Sequence, residues 1–338
     1  MTVLKGRKLI GCCAALLLSL SVAVLWVGST SAAAQPVIKY KISHTHPDGQ
    51  TYSIFAKKFM ESFEKKTGGS VVGTEYPEGV LGSERANAEG LLAGTIEVTF
   101  ITSAALCNWA PKLQVLDLPF LYNSREIAQA KIDGPLGGEM VKALDAVGFK
   151  SILFSDLGGR FFTTSKLPIY KVSDLAGLKM RTMESTIQLA TYTLMGANPT
   201  PLPATELFLA LQQKTVDGMD MILSLIWGQK FHEVQNYMTL SNHFYAFYTM
   251  IVNPAFWNKL SPEQQTALVE AAEEAKLHTR AEVTRIDAEY LTLLETQSKL
   301  KIVYPEEIDY ESFKTAVAPI YEQFEPEIGA ELLSLARE

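Results

Sequence analysis

The sequence predicts an α/β protein with a mostly parallel sheet, organised in two lobes. Strand-like apolar segments alternate with amphipathic helical segments, an order typical of parallel sheets. Once the N-terminal leader described below is removed, about 300 of the 338 residues remain, more than a single hydrophobic core usually organises. One cysteine, Cys107, follows the leader. An intramolecular disulfide is therefore excluded, and the apolar neighbours of Cys107 predict a buried small side chain.

The alternation is clearest in the first half of the chain. Tyr52, Phe55, Phe59 and Phe63 recur at helical spacing and predict a helix with one aromatic face. Strands are predicted over 37–43, 71–76, 96–101, 150–155 and 178–182, and further helices over 84–93 and over 124–147 with an interruption at the glycine-rich segment 134–138.

A strong helix-start signal stands near the beginning of the last quarter of the chain. Ser261 and Gln264 have the spacing of a capping box, and Pro262 occupies the first helical position. The helical pattern continues to about residue 299, with room for one break. We therefore predict a long helix in this region.

The N-terminus has the three parts of a secretory signal. Basic residues precede an almost wholly apolar run over 9–27, and small residues follow. We expect cleavage before Gln35, which removes residues 1–34 as a signal peptide. An uncleaved membrane anchor is the alternative, because the apolar run approaches spanning length. A lipoprotein-like cysteine, Cys12, precedes the apolar run rather than following it, and we discount it.

Composition narrows the class of partner. Loss of the leader removes three basic residues and no acidic one, which moves the formal net charge from −7 to −10. An acidic chain without a basic stripe is a poor match for nucleic acid. We therefore expect a small-molecule ligand and no nucleic-acid partner.

The segment after the fifth predicted strand is the most informative part of the chain. Within 178–182, alternation places Leu178 and Met180 on one face and Arg181 on the other. A surface or ion-paired arginine is the ordinary interpretation of such a residue. The alternative is a carboxylate-binding site, since a guanidinium presents a planar donor fork that matches a carboxylate in two parallel hydrogen bonds.

Several motifs in this region and beyond it resemble one protein family. DL-x-GLK-x-R is followed by GANPTP, EL-(aromatic)-x-ALQ and VDG, in that order. Together they resemble the extracytoplasmic solute receptors of tripartite ATP-independent periplasmic (TRAP) transporters, of the DctP type. Further segments that resemble the family lie at 76–100, 116–122, 157–168, 231–244 and 258–272, so the resemblance covers roughly residues 38–325.

The resemblance implies a two-lobed periplasmic binding protein fold with hinge strands and a long helix across both lobes. Lobe I would comprise 35–158 and 247–286, and lobe II 159–246 and 287–338, with the ligand cleft between them. It also implies a monomeric periplasmic receptor that delivers its ligand to the small and large membrane permease subunits.

The resemblance further implies site residues. Arg181 matches the carboxylate-binding arginine, Arg160 a second arginine that supports it, and Glu84 a polar cleft position. His46 and Ser103 join the candidates because they follow strands whose carboxyl ends should meet at the cleft. The remaining candidates are Asp220, Met221, Trp227, Asn242 and Phe247, although ordinary core and hinge packing is the competing explanation for the aromatic ones.

Met221 departs from the family pattern, in which VDG-x-ENP carries asparagine at that position. The exchange replaces an amide by an apolar, adaptable thioether. We therefore predict a carboxylate ligand with an apolar or aromatic portion. A C4-dicarboxylate or a sugar acid is the alternative within the same class.

A secreted α/β enzyme acting on carboxylates is the alternative of another class. His232 and Glu233 begin a zinc-helix motif, but Asn236 replaces its second histidine. His44 and His46 lack a nearby cysteine or carboxylate that would complete a metal site. Nucleophile-elbow, dinucleotide and phosphate-loop motifs are absent from the sequence. We therefore expect no catalytic residue, no metal and no cofactor.

Overall fold

A computed structural model describes residues 37–337, so the predicted signal peptide and its cleavage site lie outside the described residues. The described strands form one sheet in the order β2-β1-β3-β8-β4-β7-β5-β6, with β9 beside β8. Five of their eight pairings are parallel, which confirms the predicted α/β class and mostly parallel sheet. The strands are β1 (Ile38–Ser43), β2 (Val71–Tyr76), β3 (Val98–Thr102), β4 (Lys150–Thr164), β5 (Lys179–Thr182), β6 (Asn198–Pro201), β7 (Gly218–Met221), β8 (Tyr237–Val252) and β9 (Lys301–Val303).

Two long antiparallel strands, β4 and β8, make the sheet continuous. The strand predicted over 150–155 continues to Thr164, because the glycines at 158 and 159 allow it to bend without ending. Gly158 has a φ of +107°, and a Cβ on Gly159 would lie 2.0 Å from Oδ1 of Asn242. The register shifts on both sides of this point, as expected for bulges that redirect a strand.

The helices follow the predicted pattern closely. The segment expected to be helical with a glycine-rich interruption contains two helices that meet at Gly134. The helices are α1 (Thr51–Lys66), α2 (Glu84–Leu92), α3 (Ser103–Leu106), α4 (Arg125–Asp133), α5 (Pro135–Asp145), α6 (Thr186–Leu194), α7 (Ala204–Gln212), α8 (Leu223–Gly228), α9 (Phe231–Val234), α10 (Pro254–Lys259), α11 (Pro262–Gln297), α12 (Tyr310–Val317), α13 (Pro319–Ile328) and α14 (Ala330–Arg337), with 3₁₀ turns at Pro111–Asp117, Val172–Leu175 and Pro305–Glu307.

The aromatic face of α1 lies against the sheet as predicted. Tyr52, Phe55, Phe59 and Phe63 are fully buried, and Phe55 meets Phe100 of β3 edge-on at 4.9 Å between ring centroids. This packing fixes α1 against the sheet and so positions the loop between β1 and α1, which follows the carboxyl end of β1.

The long helix α11 runs for 36 residues without a break. Both hydrogen bonds of the predicted capping box are present: Gln264 N–H donates to Ser261 Oγ at 3.2 Å, and Ser261 N–H donates to Gln264 Oε1 at 3.0 Å. Early in the helix, Glu270 pairs with Lys66 of α1. Near its other end, Tyr290 stacks on Trp227 of α8. Within residues 37–337, neither this helix nor any other is both long and apolar enough to cross a membrane.

The C-terminal helices contact both parts of the fold. Phe313 of α12 belongs to the same apolar cluster as Met180 of β5. Phe324 of α13 instead belongs to the cluster of Leu113 and Leu144 in the first half of the chain. The segment assigned from sequence to lobe II therefore also packs against helices of lobe I.

Candidate functional site

A small cavity lies at the carboxyl ends of β1, β3, β5 and β7. The volume that the centres of water molecules can occupy in it is about 50 Å³. This is room for only a few waters. The cavity is lined by Thr45, His46, Ser83, Glu84, Arg85, Thr102, Ala105, Leu157, Arg160, Arg181, Met183, Glu184, Leu202, Pro203, Ala204, Met221, Ile222, Leu225 and Gln229.

Arg181 projects from β5 into this cavity and is 2% exposed. Its Nε donates to the backbone oxygen of Leu202 at 2.9 Å. Among the residues that the structure describes, no carboxylate oxygen lies within 4 Å of its guanidinium nitrogens. Burial, together with repulsion from Arg160, lowers the pKa of Arg181 to about 10, so it is still a cation at neutral pH. The cavity thus holds a buried guanidinium that makes no ion pair with a carboxylate of the described residues, although Asp220 and Glu84 attract it from farther away.

Arg160, on β4, is the second buried arginine of the cavity wall. Its Nε donates to Asp220 Oδ2 at 2.6 Å, and its Nη2 donates to Asp220 Oδ1 at 3.1 Å and to the Asp220 backbone oxygen at 2.8 Å. Burial opposes the charge on each partner, but their mutual attraction outweighs it: the pKa of Arg160 is raised and that of Asp220 is lowered. Arg160 therefore carries its own counter-ion.

Glu84 stands at the first turn of α2, whose cap is Ser83. Its carboxylate accepts from Tyr52 Oη at 3.2 Å, from Thr102 N–H at 3.3 Å and from Thr102 Oγ1 at 2.6 Å. Burial raises the pKa of Glu84, and these donors act against that rise. The acid is thus held rigidly in the cavity wall.

His46 lies in the loop after β1 and stacks on Tyr52, with 3.7 Å between ring centroids. Its Nδ1 accepts the backbone N–H of Tyr52 at 3.5 Å. Burial, reinforced by nearby His44, lowers the pKa of His46 well below its ordinary value, so the ring is neutral. A neutral ring whose Nδ1 accepts must carry its proton on Nε2. His46 is therefore a neutral donor in the cavity wall.

One side of the cavity is apolar. Met221, at the end of β7, lies on this side and is 3% exposed. The apolar lining consists of Leu157, Met183, Leu202, Met221, Ile222 and Leu225. The lining therefore combines buried guanidinium groups with aliphatic and thioether groups.

Segments distant in sequence contact one another around the cavity. Asn108 Nδ2 donates to the backbone oxygen of Glu184 at 2.6 Å, and Gln229 Nε2 donates to the backbone oxygen of Thr45 at 3.4 Å. Arg85 Nη1 lies 4.0 Å from Glu184 Oε1. These contacts join residues before Gly158 to residues after it, across the expected cleft.

Five of the ten predicted site residues line the cavity: Arg181, Arg160, Glu84, His46 and Met221. The structure does not place the other five in its lining. Asp220 is fully buried behind the wall and pairs with Arg160. Ser103 is turned toward the backbone of β8, where its Oγ lies 3.5 Å from the Phe247 oxygen.

The other three predicted residues are also outside the lining, each with a different environment. Trp227 stacks on His232, with 4.5 Å between ring centroids. Phe247 is fully buried and packs edge-on against Tyr122. Asn242 takes a left-handed conformation in β8, with a φ of 43°, and borders a separate surface groove.

Residue patterns explain some of the lining residues that the sequence analysis missed. Met183 lies two positions after Arg181, so strand alternation would have placed it on the same side. Thr102 ends β3 immediately before the predicted Ser103. Gln229 follows a short helix, and nothing in its local pattern distinguishes it.

The histidine pair near the cavity does not form a metal site. His44 Nε2 lies 2.9 Å from Glu75 Oε1, whereas His46 stacks on Tyr52. Over the described part of the chain, no group of three or more His, Cys, Asp or Glu side chains could hold a metal ion.

Comparison with known proteins agrees with this architecture. The family model of bacterial extracellular solute-binding proteins, family 7 (DctP), matches residues 42–327. A solute-binding protein of Verminephrobacter eiseniae is 36% identical over 307 residues, which cover 91% of this chain and 90% of that protein.

Solved structures extend the comparison to the fold. A TRAP periplasmic solute-binding protein from Polaromonas sp. JS666, bound to D-erythronate, aligns with a TM-score of 0.86 and 34% identity over 89% of this chain and 98% of that chain. Another, from Sulfurospirillum deleyianum with bound succinate, aligns with a TM-score of 0.84 and 28% identity over 89% of this chain and 99% of that chain. These matches confirm the predicted two-lobed fold, and the matched proteins bind ligands rather than catalyse reactions.

Proposed function

We propose that this chain, which belongs to the family 7 bacterial extracellular solute-binding proteins, binds an organic acid whose carboxylate pairs with Arg181. One observation carries the proposal: Arg181 is a buried cation in the cavity wall, and no carboxylate of the described residues forms an ion pair with it. A buried charge without a partner is costly. A ligand carboxylate removes that cost and finds little competition from water.

The ligand body is the second part of the proposal. The apolar side formed by Met183, Met221 and their neighbours favours an acid that carries an apolar portion. The small cavity favours a compact molecule over a long one. Sugar acids and C4-dicarboxylates remain the competing ligands, because the related proteins from Polaromonas and Sulfurospirillum bind D-erythronate and succinate.

The wider role follows from the family. We propose a monomeric receptor in the periplasm, secreted with loss of residues 1–34, that passes its ligand to the small and large TRAP permease subunits. Its lobes would move about hinges near Gly158 and Phe247 and in α11, and close on the ligand. In support, contacts such as Asn108 to Glu184 cross the expected cleft.

Ligand recovery tests the proposal directly. Protein purified from the periplasm is denatured, and the released small molecules are identified by mass spectrometry. A thermal-shift screen of organic acids follows, since a ligand that binds the folded state raises the melting temperature. We expect one equivalent of an unchanged organic acid. Recovery of neutral sugars or amines, together with no shift for any acid, would refute the proposal.

Scattering in solution tests the motion. The radius of gyration should fall when saturating acid is added, because only the closed state contacts the ligand from both lobes. The matched control is the Arg181→Ala protein at the same acid concentration, which should keep the larger radius. Identical profiles for the unmodified protein with and without ligand would contradict closure.

A further inference from the structure

We infer that the cavity selects a monoanion: one carboxylate pairs with Arg181, and the opposite end of the ligand presents a neutral hydrogen-bond acceptor to His46. A dicarboxylate of the same length is rejected. This inference rests on the proposed organic-acid function and names the charge class of its ligand.

Of the three arginines in the cavity lining, one has no carboxylate partner within the described residues. Arg160 is neutralised by Asp220 through two side-chain hydrogen bonds. Arg85 is exposed at the mouth and pairs with Glu89 at 3.1 Å. Arg181 is left as the lining cation without a carboxylate partner in the described chain. One ligand carboxylate would therefore pair with Arg181. Because Glu84 already attracts Arg181 from within the same lining, no further positive charge is left for a second carboxylate.

The acidic residues of the lining oppose a second carboxylate. The oxygens of Glu84 already accept from Tyr52 and Thr102, so this side chain is anchored and cannot easily turn away. Glu184 adds another carboxylate at the mouth. In a water-poor cavity, like charges repel more strongly than at a surface. A diacid would place its second charge beside these groups without a free cation to offset it.

His46 defines what the opposite end of the ligand can be. Its proton lies on Nε2, because Nδ1 accepts from Tyr52 N–H. Its neighbour His44 is engaged with Glu75. A neutral N–H donor satisfies an amide, ester, ketone or hydroxyl oxygen, but it brings no charge to balance a carboxylate. A ligand with one carboxylate for Arg181 and one neutral acceptor for His46 therefore matches both lining residues.

Matched ligand pairs test this inference by calorimetry at pH 7. Succinate and its monoamide have the same chain length and differ in the second charge, as do glutarate and its monoamide. We expect a monoamide to bind at least about tenfold more tightly than its diacid. Equal or tighter binding of the diacid in every pair that binds would overturn the inference and leave the organic-acid function intact.

Two variants locate the effect. Glu84→Gln removes the repelling charge at nearly constant shape and should reduce the preference for the monoamide at least about threefold. His46→Phe keeps a flat ring but removes the donor, and should weaken the monoamide more than the diacid. If neither variant changes the ratio, the assignment to these residues is wrong.

An outcome without binding of either pair is also decisive. The charge of the acid recovered from the purified protein then becomes the test: a monoacid supports the inference and a diacid overturns it. If no organic acid of either charge binds, the proposed function itself fails.

Discussion

Two buried arginines face the same cavity, and their surroundings differ in one respect. Arg160 is held by Asp220 through the carboxylate and the backbone oxygen. Arg181 makes one hydrogen bond, to the Leu202 backbone oxygen, and has no carboxylate partner within the described residues. The protein therefore satisfies the charge of one arginine internally, and we propose that a ligand pairs with the other.

This difference predicts that Arg160 contributes mainly to the stability of the fold and Arg181 mainly to ligand affinity. A cation with a built-in counter-ion contributes mainly to the shape of the cavity, and its removal leaves a buried carboxylate behind. A cation without one makes the ligand-free protein less stable than it would otherwise be, and the bound ligand recovers that energy. The two arginines should consequently respond to mutation in opposite ways.

The largest effect is expected at Arg160. Arg160→Ala leaves Asp220 buried and unpaired, which should lower the free energy of unfolding by about 3–5 kcal/mol. Urea denaturation measures this loss. The double variant Arg160→Met with Asp220→Asn should regain a large part of it, since both charges are then absent. A single variant as stable as the unmodified protein would show that the pair is not a structural element.

At Arg181 the effect should appear in binding. Arg181→Ala should cost about 2–5 kcal/mol of binding free energy, which is roughly 30-fold or more in affinity. Arg181→Lys keeps the charge but loses the planar fork, and should also bind poorly. Calorimetry with the recovered acid measures both. The ligand-free variants should unfold no more easily than the unmodified protein.

Arg85 supplies the matched control for Arg181. It is an arginine of the same cavity lining, but it is solvent-exposed and already paired with Glu89. Arg85→Ala should change affinity by about threefold or less, as expected for an exposed ion pair. An equal loss at Arg85 and Arg181 would mean that general positive charge, rather than one clamp, attracts the ligand.

The buried acid Asp117, near Arg160, should make the stability of this part of the molecule depend on pH. Asp117 accepts from Gln188 at 3.3 Å, and burial raises the pKa of its carboxyl from 3.8 to about 7. Because the folded state holds this proton more tightly than the unfolded state, the contribution of Asp117 is most favourable below pH 4 and is lost as the pH rises through 7. The loss should be on the order of a few kcal/mol.

Asp117→Asn isolates this contribution. Burial also lowers the pKa of His243 to about 3. His243 therefore destabilises the folded state as the pH falls below 6.5, whereas Asp117 stabilises it. The pH dependence of the free energy of unfolding combines both contributions. The contribution of His243 is the same in Asp117→Asn and in the unmodified protein, so it cancels when their free energies of unfolding are compared at one pH. Urea unfolding at pH 5 and pH 8 should show the variant gaining relative stability at pH 8. A difference independent of pH would rule out titration of Asp117.

The comparison of the two arginines also shows what the sequence could predict. Alternation within β5 opposed Arg181 to Met180, as the structure has them. The rule on the carboxyl ends of parallel strands placed His46 and Arg181 in the cavity lining, but it also named Ser103, which lies outside the lining. These inferences work because strand periodicity and sheet topology are local or follow from strand order. The long helix was predicted because its capping box is a local signal.

Such local rules cannot predict which side chains pair between segments that are distant in sequence. Asp220 and Met221 are neighbours, yet one pairs with Arg160 behind the wall and the other lines the cavity. The alternation of β7 separates them, but the side that faces the ligand depends on the pairing of β7 with β4. Trp227 and Phe247 were predicted to be site residues because they are aromatic. In the structure Trp227 packs on His232 and Phe247 on Tyr122.

The last effect concerns the class of ligand and is expected at Met221, where the chain departs from its family. Met221→Asn restores an amide donor and acceptor to the apolar side of the cavity. An acid with an apolar body should then lose affinity, because it must bury the amide without a partner, while a hydroxylated acid such as D-erythronate should gain. We expect the ratio of the two dissociation constants to shift about tenfold, or 1.4 kcal/mol. Met221→Leu is the control: it keeps the apolar surface and should leave the ratio within about threefold. If Met221→Asn also leaves it unchanged, the thioether does not set the ligand class, and the rest of the apolar lining must account for any preference.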